Sequence, residues 1–129
     1  MSTADNDVVV FGATSFVGQI VARYLAEYLQ TRDETLRWAI AGRSAAKLNE
    51  LRRSPGVAGQ SVPIIVADAA NETQLRAMCG QTRVVVSTVG PYALYGEPLI
   101  KACVESGTDY CDLTGETQWI KKMIKNMNP

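Results

Sequence analysis

The chain has 129 residues, the size of one domain, and 47% of them are hydrophobic, enough for a core without metal or disulfide staples. Thirteen basic residues balance thirteen acidic ones, which excludes a general attraction to nucleic acid or to an anionic membrane and makes any anion site a local matter. Cys79, Cys103 and Cys111 form no CxxC pair and histidine is absent, so the usual zinc sites are excluded, no metal is expected, and reduced, buried thiols are.

The first seven residues are polar and unlike a signal peptide, and no apolar run approaches the ~20 residues of a membrane helix. A soluble, cytoplasmic segment is expected. Val8–Phe11 is a continuous apolar, β-branched run ending at Gly12, the pattern of a strand buried on both faces. From Phe16 to Leu29 the period changes: Val17, Ile20, Val21, Tyr24, Leu25 and Tyr28 fall at spacings of three and four and make one apolar helical face. Residues 30–35 read as an exposed loop.

The alternation then repeats. Trp38–Ala41 is a second strand, and Ser44 caps a helix to about Arg53 with Leu48 and Leu51 inward. Ser54-Pro-Gly56 breaks that helix, and loop follows to Ser61. Val62–Ala67 is a third strand, with Pro63 near its start. Asn71 caps a helix toward Cys79, with Gln74 placed to bond back to the cap. Val84–Thr88 is a fourth strand, Pro98 marks the first turn of a helix ending near Gly107, Tyr110–Leu113 is a fifth strand, and Gln118–Asn126 a last helix. Strands alternating with helices call for an α/β fold: a doubly wound parallel sheet of about five strands, as one Rossmann-type domain over residues 1–129.

The strongest local signal is Gly12-Ala13-Thr14-Ser15-Phe16-Val17-Gly18, set between the first strand and the first helix. A helix N-terminus offers unsatisfied N–H groups and a positive dipole end to a pyrophosphate; Gly12 permits the turn and Gly18 a close helix–strand approach. At the end of the second strand an NAD site carries a carboxylate for the ribose 2′-OH. Here Ala41-Gly42-Arg43-Ser44 has none, and Arg43, with Ser44 and Lys47, suits a 2′-phosphate. NADP(H) is therefore expected in preference to NAD(H). Asp68, ending the third strand, supports two readings alike: a contact to the adenine edge, or an Asx turn. Thr88, Val89, Gly90, Pro91 and Tyr92 follow the fourth strand, across the switch point from the first, and should line the crevice toward the nicotinamide; Tyr92 and Tyr95 fit packing under another domain as well. Asp109, Asp112 and Glu116 read as solvated or capping carboxylates, and Tyr110 and Trp119 as packing aromatics.

These motifs resemble the N-terminal domain of the saccharopine dehydrogenase-like oxidoreductases, which include the trans-acting enoyl reductases of mycobacteria. The resemblance spans nearly the whole chain and rests on Val10–Gly18, on Ala39–Ser44 with Lys47-Leu48, on Val89–Tyr92 with Tyr95–Pro98, and on Gly107–Glu116. Ser15 departs from the family's usual glycine. The resemblance implies a cofactor-binding Rossmann domain followed by a larger α/β domain, absent from this chain, that closes over the nicotinamide and holds a small-molecule or lipid-linked substrate. No catalytic residue is assigned, and the segment alone is expected to be inactive. A non-catalytic dinucleotide sensor and true saccharopine chemistry remain the alternatives.

Overall fold

The computed structural model describes residues 5–32, 35–89 and 92–112, with the side chains of residues 60 and 92–95 outside the description. The order is β1 (Asn6–Phe11), α1 (Phe16–Arg32), β2 (Trp38–Gly42), α2 (Ala45–Arg52), β3 (Ile64–Val66), α3 (Glu72–Cys79), β4 (Thr82–Ser87), α4 (Tyr92–Ser106) and β5 (Asp109–Asp112), with a 3₁₀ turn over Ala58–Gln60 before β3. The five strands form one parallel sheet in the order β3-β2-β1-β4-β5. Chain direction reverses its march at β1, so the ends of β1 and β4 open a crevice between them. The expected helix over Gln118–Asn126 lies outside the described residues.

Alternation along the strands sorts side chains to two cores. Val10, Ile40 and Trp38 pack with Ala22, Ala26 and Leu29 of α1 and Leu48 and Leu51 of α2. Val9, Phe11, Ala39, Ala41 and Val85 pack on the other face with Leu75 and Met78 of α3 and Leu99 and Ala102 of α4. Because β1 and β2 are covered on both sides, β2 and the Val8–Phe11 part of β1 are apolar at every position rather than alternating, and all of β2 is buried. Ser44 and Asn71 cap α2 and α3 as their sequences imply, their side chains accepting from the Lys47 and Gln74 N–H groups.

Several expectations are corrected. The apolar stripe of α1 is only half engaged: Val21, Leu25 and Tyr28 pack half-buried at the edge of the core, but the fully buried face lies beside them. That face is Gly18, Ala22, Ala26 and Leu29, whose small side chains let the helix axis approach, while Val17, Ile20 and Tyr24 are 42%, 52% and 69% exposed. The helix also runs on to Arg32, through residues read as loop; Arg32 stacks over the Tyr28 ring at 4.8 Å and Thr31 bonds back to the Glu27 and Tyr28 carbonyls. The helix after β4 starts at Tyr92, so Pro98 lies inside it rather than in its first turn. β3 is three residues long, because Pro63 gives its carbonyl to Ile40 but has no N–H to return. The Gln74 side chain reaches past the cap and accepts from the Asp68 N–H at 2.9 Å.

The thiols divide. Cys79 and Cys103 are buried with their sulfurs 3.5 Å apart, whereas Cys111 is exposed. Cys111 is in register with Val86, one position off the Val85–Tyr110 face that α3 and α4 cover. The hydrogen bond with Cys79, followed by burial, pushes the Cys103 thiol well above its ordinary range.

At the start of the sheet Asp7 accepts from the Arg37 backbone N–H at 3.0 Å and from its guanidinium at 3.3 Å. The backbone bond foremost, then the side-chain bond, hold the Asp7 carboxyl below the usual value. A depressed carboxyl contributes stability above the unfolded pKa and loses it as pH falls through the folded one. The difference in denaturant midpoint between the wild type and Asp7→Asn should therefore be constant above about pH 5 and shrink as pH falls through about 4. A gap that widens on acidification would contradict this account.

Candidate functional site: the crevice at the carboxyl ends of the sheet

The turn after β1 is held by the sheet itself. The N–H groups of Gly12 and Ala13 both donate to the Ala41 carbonyl of β2, at 2.9 and 3.1 Å. Gly12 sits at φ 80°, and a Cβ there would stand 2.7 Å from the Thr88 hydroxyl and 2.8 Å from a Val89 methyl. Its glycine is required twice, by conformation and by space. At Gly18 the demand is steric alone: a Cβ would lie 2.1 Å from the Gly12 carbonyl oxygen and 2.8 Å from the Ala13 Cα. The first turn of α1 thus rests directly on the backbone that leaves β1.

Ser15 is the N-cap of α1. Its Oγ accepts from the Gly18 N–H at 2.9 Å and donates to the Gly12 carbonyl at 2.9 Å, while its own carbonyl receives the Gln19 N–H. Its hydroxyl is therefore spent on the turn. Thr88 locks the other wall: its N–H donates to the Phe11 carbonyl at 2.9 Å, and its hydroxyl lies 3.0 and 2.9 Å from the carbonyls of Phe11 and Gly12. Among the described residues, the N–H groups of Thr14, Phe16 and Val17 have no protein acceptor. These are the donors that an anion at this helix end would meet.

The resulting crevice has a volume of about 490 Å³. Phe11, Gly12, Thr14 and Ser15 line it from the first turn, Gly42, Arg43, Ser44 and Lys47 from the second, Ala67, Asp68 and Ala69 from the third, and Thr88 and Val89 from the fourth. Of the residues singled out in the sequence, Gly12, Thr14, Ser15, Arg43, Ser44, Lys47, Asp68, Thr88 and Val89 are brought together. Ala13 is fully buried beneath the turn, and Phe16, 82% exposed, projects away. Phe16, Val17 and Gly18, in the first turn of α1, are not among the residues that line the crevice. Gly90 and Pro91 lie outside the described residues, as does the Tyr92 side chain.

Asp68 closes an Asx turn, its Oδ1 accepting the Ala70 N–H at 2.8 Å. It also stands on the crevice wall, so the two sequence readings are compatible. Asp112, read as a solvated carboxylate, accepts from the Tyr110 hydroxyl at 2.5 Å on β5. The Ser44 side chain is occupied by the Lys47 N–H, while Arg43 and Lys47 are exposed and neither forms an ion pair among the described residues.

Sequence reasoning missed four lining residues. Phe11 and Gly42 end their strands and Ala67 directly follows β3, so a rule that strand ends border the crevice would have found these three; Ala69 lies in the turn beyond β3 and no such rule reaches it. It also missed a second groove of about 420 Å³ between α1 and α2, where Gln19 and Arg23 face Lys47, Glu50, Leu51 and Ser54, with Thr14 at the border of both cavities.

A parallel sheet in this order, with a glycine turn and open helix N–H groups at the switch point, defines a dinucleotide-binding Rossmann domain. The family model of the saccharopine dehydrogenase NADP-binding domain matches residues 8–128. The chain belongs to that family. It is 46% identical over 118 residues to the trans-acting enoyl reductase of Mycobacterium leprae and 43% identical over 126 residues to that of Mycobacterium tuberculosis. These alignments cover 92% and 96% of this chain but 27% and 29% of the relatives, so the chain spans somewhat over a quarter of their length. Among solved structures, apo saccharopine dehydrogenase (L-Glu forming) of Saccharomyces cerevisiae superposes with TM-score 0.69 at 18% identity, over 92% of this chain and 24% of that one. An NADPH-dependent quinone oxidoreductase of Escherichia coli gives TM-score 0.64 at 19% identity, over 94% and 44%. At such identities the likeness establishes the fold. The cofactor expected from the sequence, NADP(H), is the one that defines the family.

Gly18→Ala forces a methyl into backbone on two sides and should cost at least about 2 kcal/mol by overpacking. Ser15→Ala, which removes the cap, should cost roughly 1 kcal/mol, and Ser15→Gly only a few tenths. Urea unfolding of the three variants checks the order; equal stability of Gly18→Ala and wild type would refute the close approach.

Proposed function

We propose that this chain is the cofactor-binding part of a longer NADP(H)-dependent oxidoreductase, and that the whole protein reduces an enoyl double bond, as the name of its relatives says of them. The observation that carries the reading is the pairing of two features in one crevice. The Thr14, Phe16 and Val17 N–H groups stand without acceptors at the end of β1, and the end of β2 presents Arg43, Ser44 and Lys47 where an NAD site would present a carboxylate.

The residues present fit this cofactor. A diphosphate laid across the Gly12–Gly18 turn meets the α1 N-terminus. Arg43 and Lys47 give the 2′-phosphate a bidentate and a point-charge partner. Asp68 and Ala69 border the crevice at the end of β3, where the adenine edge would lie, and Asp68 keeps one carboxylate oxygen beyond its Asx turn. Thr88 and Val89 wall the side toward β4, the direction of the nicotinamide. When bound, the nicotinamide supplies the hydride; this chain's own work is to hold and orient it. No described side chain is assigned an acid or base role, and the groups that bind the substrate belong to the remainder of the longer protein.

Arg43→Ala should weaken NADPH by roughly 1.5–3 kcal/mol, the range of charge-assisted hydrogen bonds, and leave NADH nearly unchanged. Isothermal titration of the 129-residue chain measures both. Equal losses for the two cofactors would remove Arg43 from the 2′-phosphate. Mixed with an enoyl thioester, the chain alone should consume no NADPH, and turnover by it would overturn the division of labour proposed here.

A further inference from the structure

We infer that Arg23 is a specificity-determining residue of this site, a third cation that approaches the ribose 2′-phosphate of NADP(H) from α1. The inference rests on the NADP(H) reading of the crevice and adds to it a residue from outside the ends of the strands.

Two cavities share one border. Thr14 and Lys47 line both the crevice and the groove between α1 and α2, and Thr14 Oγ1 lies within 3.9 Å of where a Cβ on Gly42 would stand. The border therefore abuts the Gly42-Arg43-Ser44 turn, the place assigned to the 2′-phosphate. Arg23 lines the groove from the α1 side. Helical side chains lean toward the N-terminus of their helix, which from Arg23 is the direction of Thr14. Gln19, four residues earlier on the same flank, already points that way and donates to the Thr14 carbonyl at 2.9 Å. The flanks of α1 are chemically distinct: Gln19 and Arg23 face α2, while Val17, Ile20 and Tyr24 carry its exposed apolar stripe.

The charges facing the groove are Arg23, Lys47 and Glu50, and Arg43 stands across the border. Among the described residues, neither Arg23, Arg43 nor Lys47 is in an ion pair. Three cations thus line the two cavities against two carboxylates, Glu50 in the groove and Asp68 on the β3 side of the crevice, in a chain whose net charge is zero. A phosphate dianion placed at their border has Arg43 on one side and Arg23 on the other, with Lys47 between. An un-phosphorylated ribose gains nothing from Arg23, and that difference is what specificity means. Glu50 opposes the anion, and its removal should help NADPH selectively.

The test is titration of the 129-residue chain with NADPH, NADH and 2′,5′-ADP, which carries the extra phosphate without the nicotinamide. Arg23→Ala should weaken NADPH and 2′,5′-ADP by about 5- to 20-fold while NADH changes less than about twofold. Arg23→Lys should recover part of the loss, and Glu50→Gln should tighten NADPH by about two- to fivefold and NADH not at all. NADPH binding unchanged by Arg23→Ala, or a loss shared equally with NADH, overturns the inference. If Arg43→Ala discriminates between the cofactors and Arg23→Ala does not, Arg23 alone is wrong and the reading of the crevice stands. If the wild type itself binds NADPH no better than NADH, both fall.

Discussion

The structure depends on how closely the start of α1 approaches the end of β1. The absence of a side chain at Gly18 puts the first helical turn against the Gly12 carbonyl, and the absence of one at Gly12 lets Thr88 and Val89 close from the other side. Once these contacts are made, the Ser15 cap and the Thr88 hydroxyl hold the turn to both β1 and α1. The helix end is then fixed at the switch point of the sheet, with the Thr14 N–H at the crevice and those of Phe16 and Val17 in the helical turn beside it. Binding an anion there requires little reorganisation, because the donors are already oriented by the backbone that built the fold.

The second determinant is local charge in a chain with none overall. Thirteen positive and thirteen negative side chains cancel, so long-range attraction cannot select a phosphorylated ligand. Arg43 and Lys47 are instead set at the end of β2 and the first turn of α2, free of ion pairs among the described residues. Asp68 sits one strand further out and is partly committed to its own turn. The two cations are thereby separated from the carboxylate on the β3 side of the same crevice.

Helix α1 serves three environments at once. Gly18, Ala22 and Ala26 meet the sheet, Gln19 and Arg23 meet the groove against α2, and Phe16, Ile20 and Tyr24 form an exposed apolar ridge. Small residues are necessary on the sheet face because the Gly12–Gly18 contact sets how near the axis must lie. Of the larger apolar residues, Leu29 is buried and Val21, Leu25 and Tyr28 pack half-buried against the core, while Phe16, Val17, Ile20 and Tyr24 fall on the exposed flank. Reading hydrophobicity alone turns the face toward the flank, taking in exposed Val17, Ile20 and Tyr24 with Val21, Leu25 and Tyr28 and passing over Gly18, Ala22 and Ala26, since Val, Ile and Tyr outweigh Gly and Ala on any scale of apolar area.

Much of this was legible in the residues. Apolar runs of four to six residues between helical periods implied buried parallel strands; Ser44 and Asn71 announced two helix starts; and the glycine turn and Arg43 marked the crevice, because each is a local chemical requirement that a short stretch of sequence must satisfy. Where tertiary geometry decides, the residues were silent. The sheet-facing side of α1 was set by a backbone contact between Gly18 and Gly12, and the early start of α4 carried Pro98 into its interior. Buried thiols were expected, but that Cys79 lies against Cys103 and that Cys111 is exposed followed from which sheet face each helix covers. Arg23 came beside Lys47 through the packing of two helices 24 residues apart at those positions. Local chemistry is written in neighbouring letters, whereas proximity between distant ones exists only once the backbone has closed.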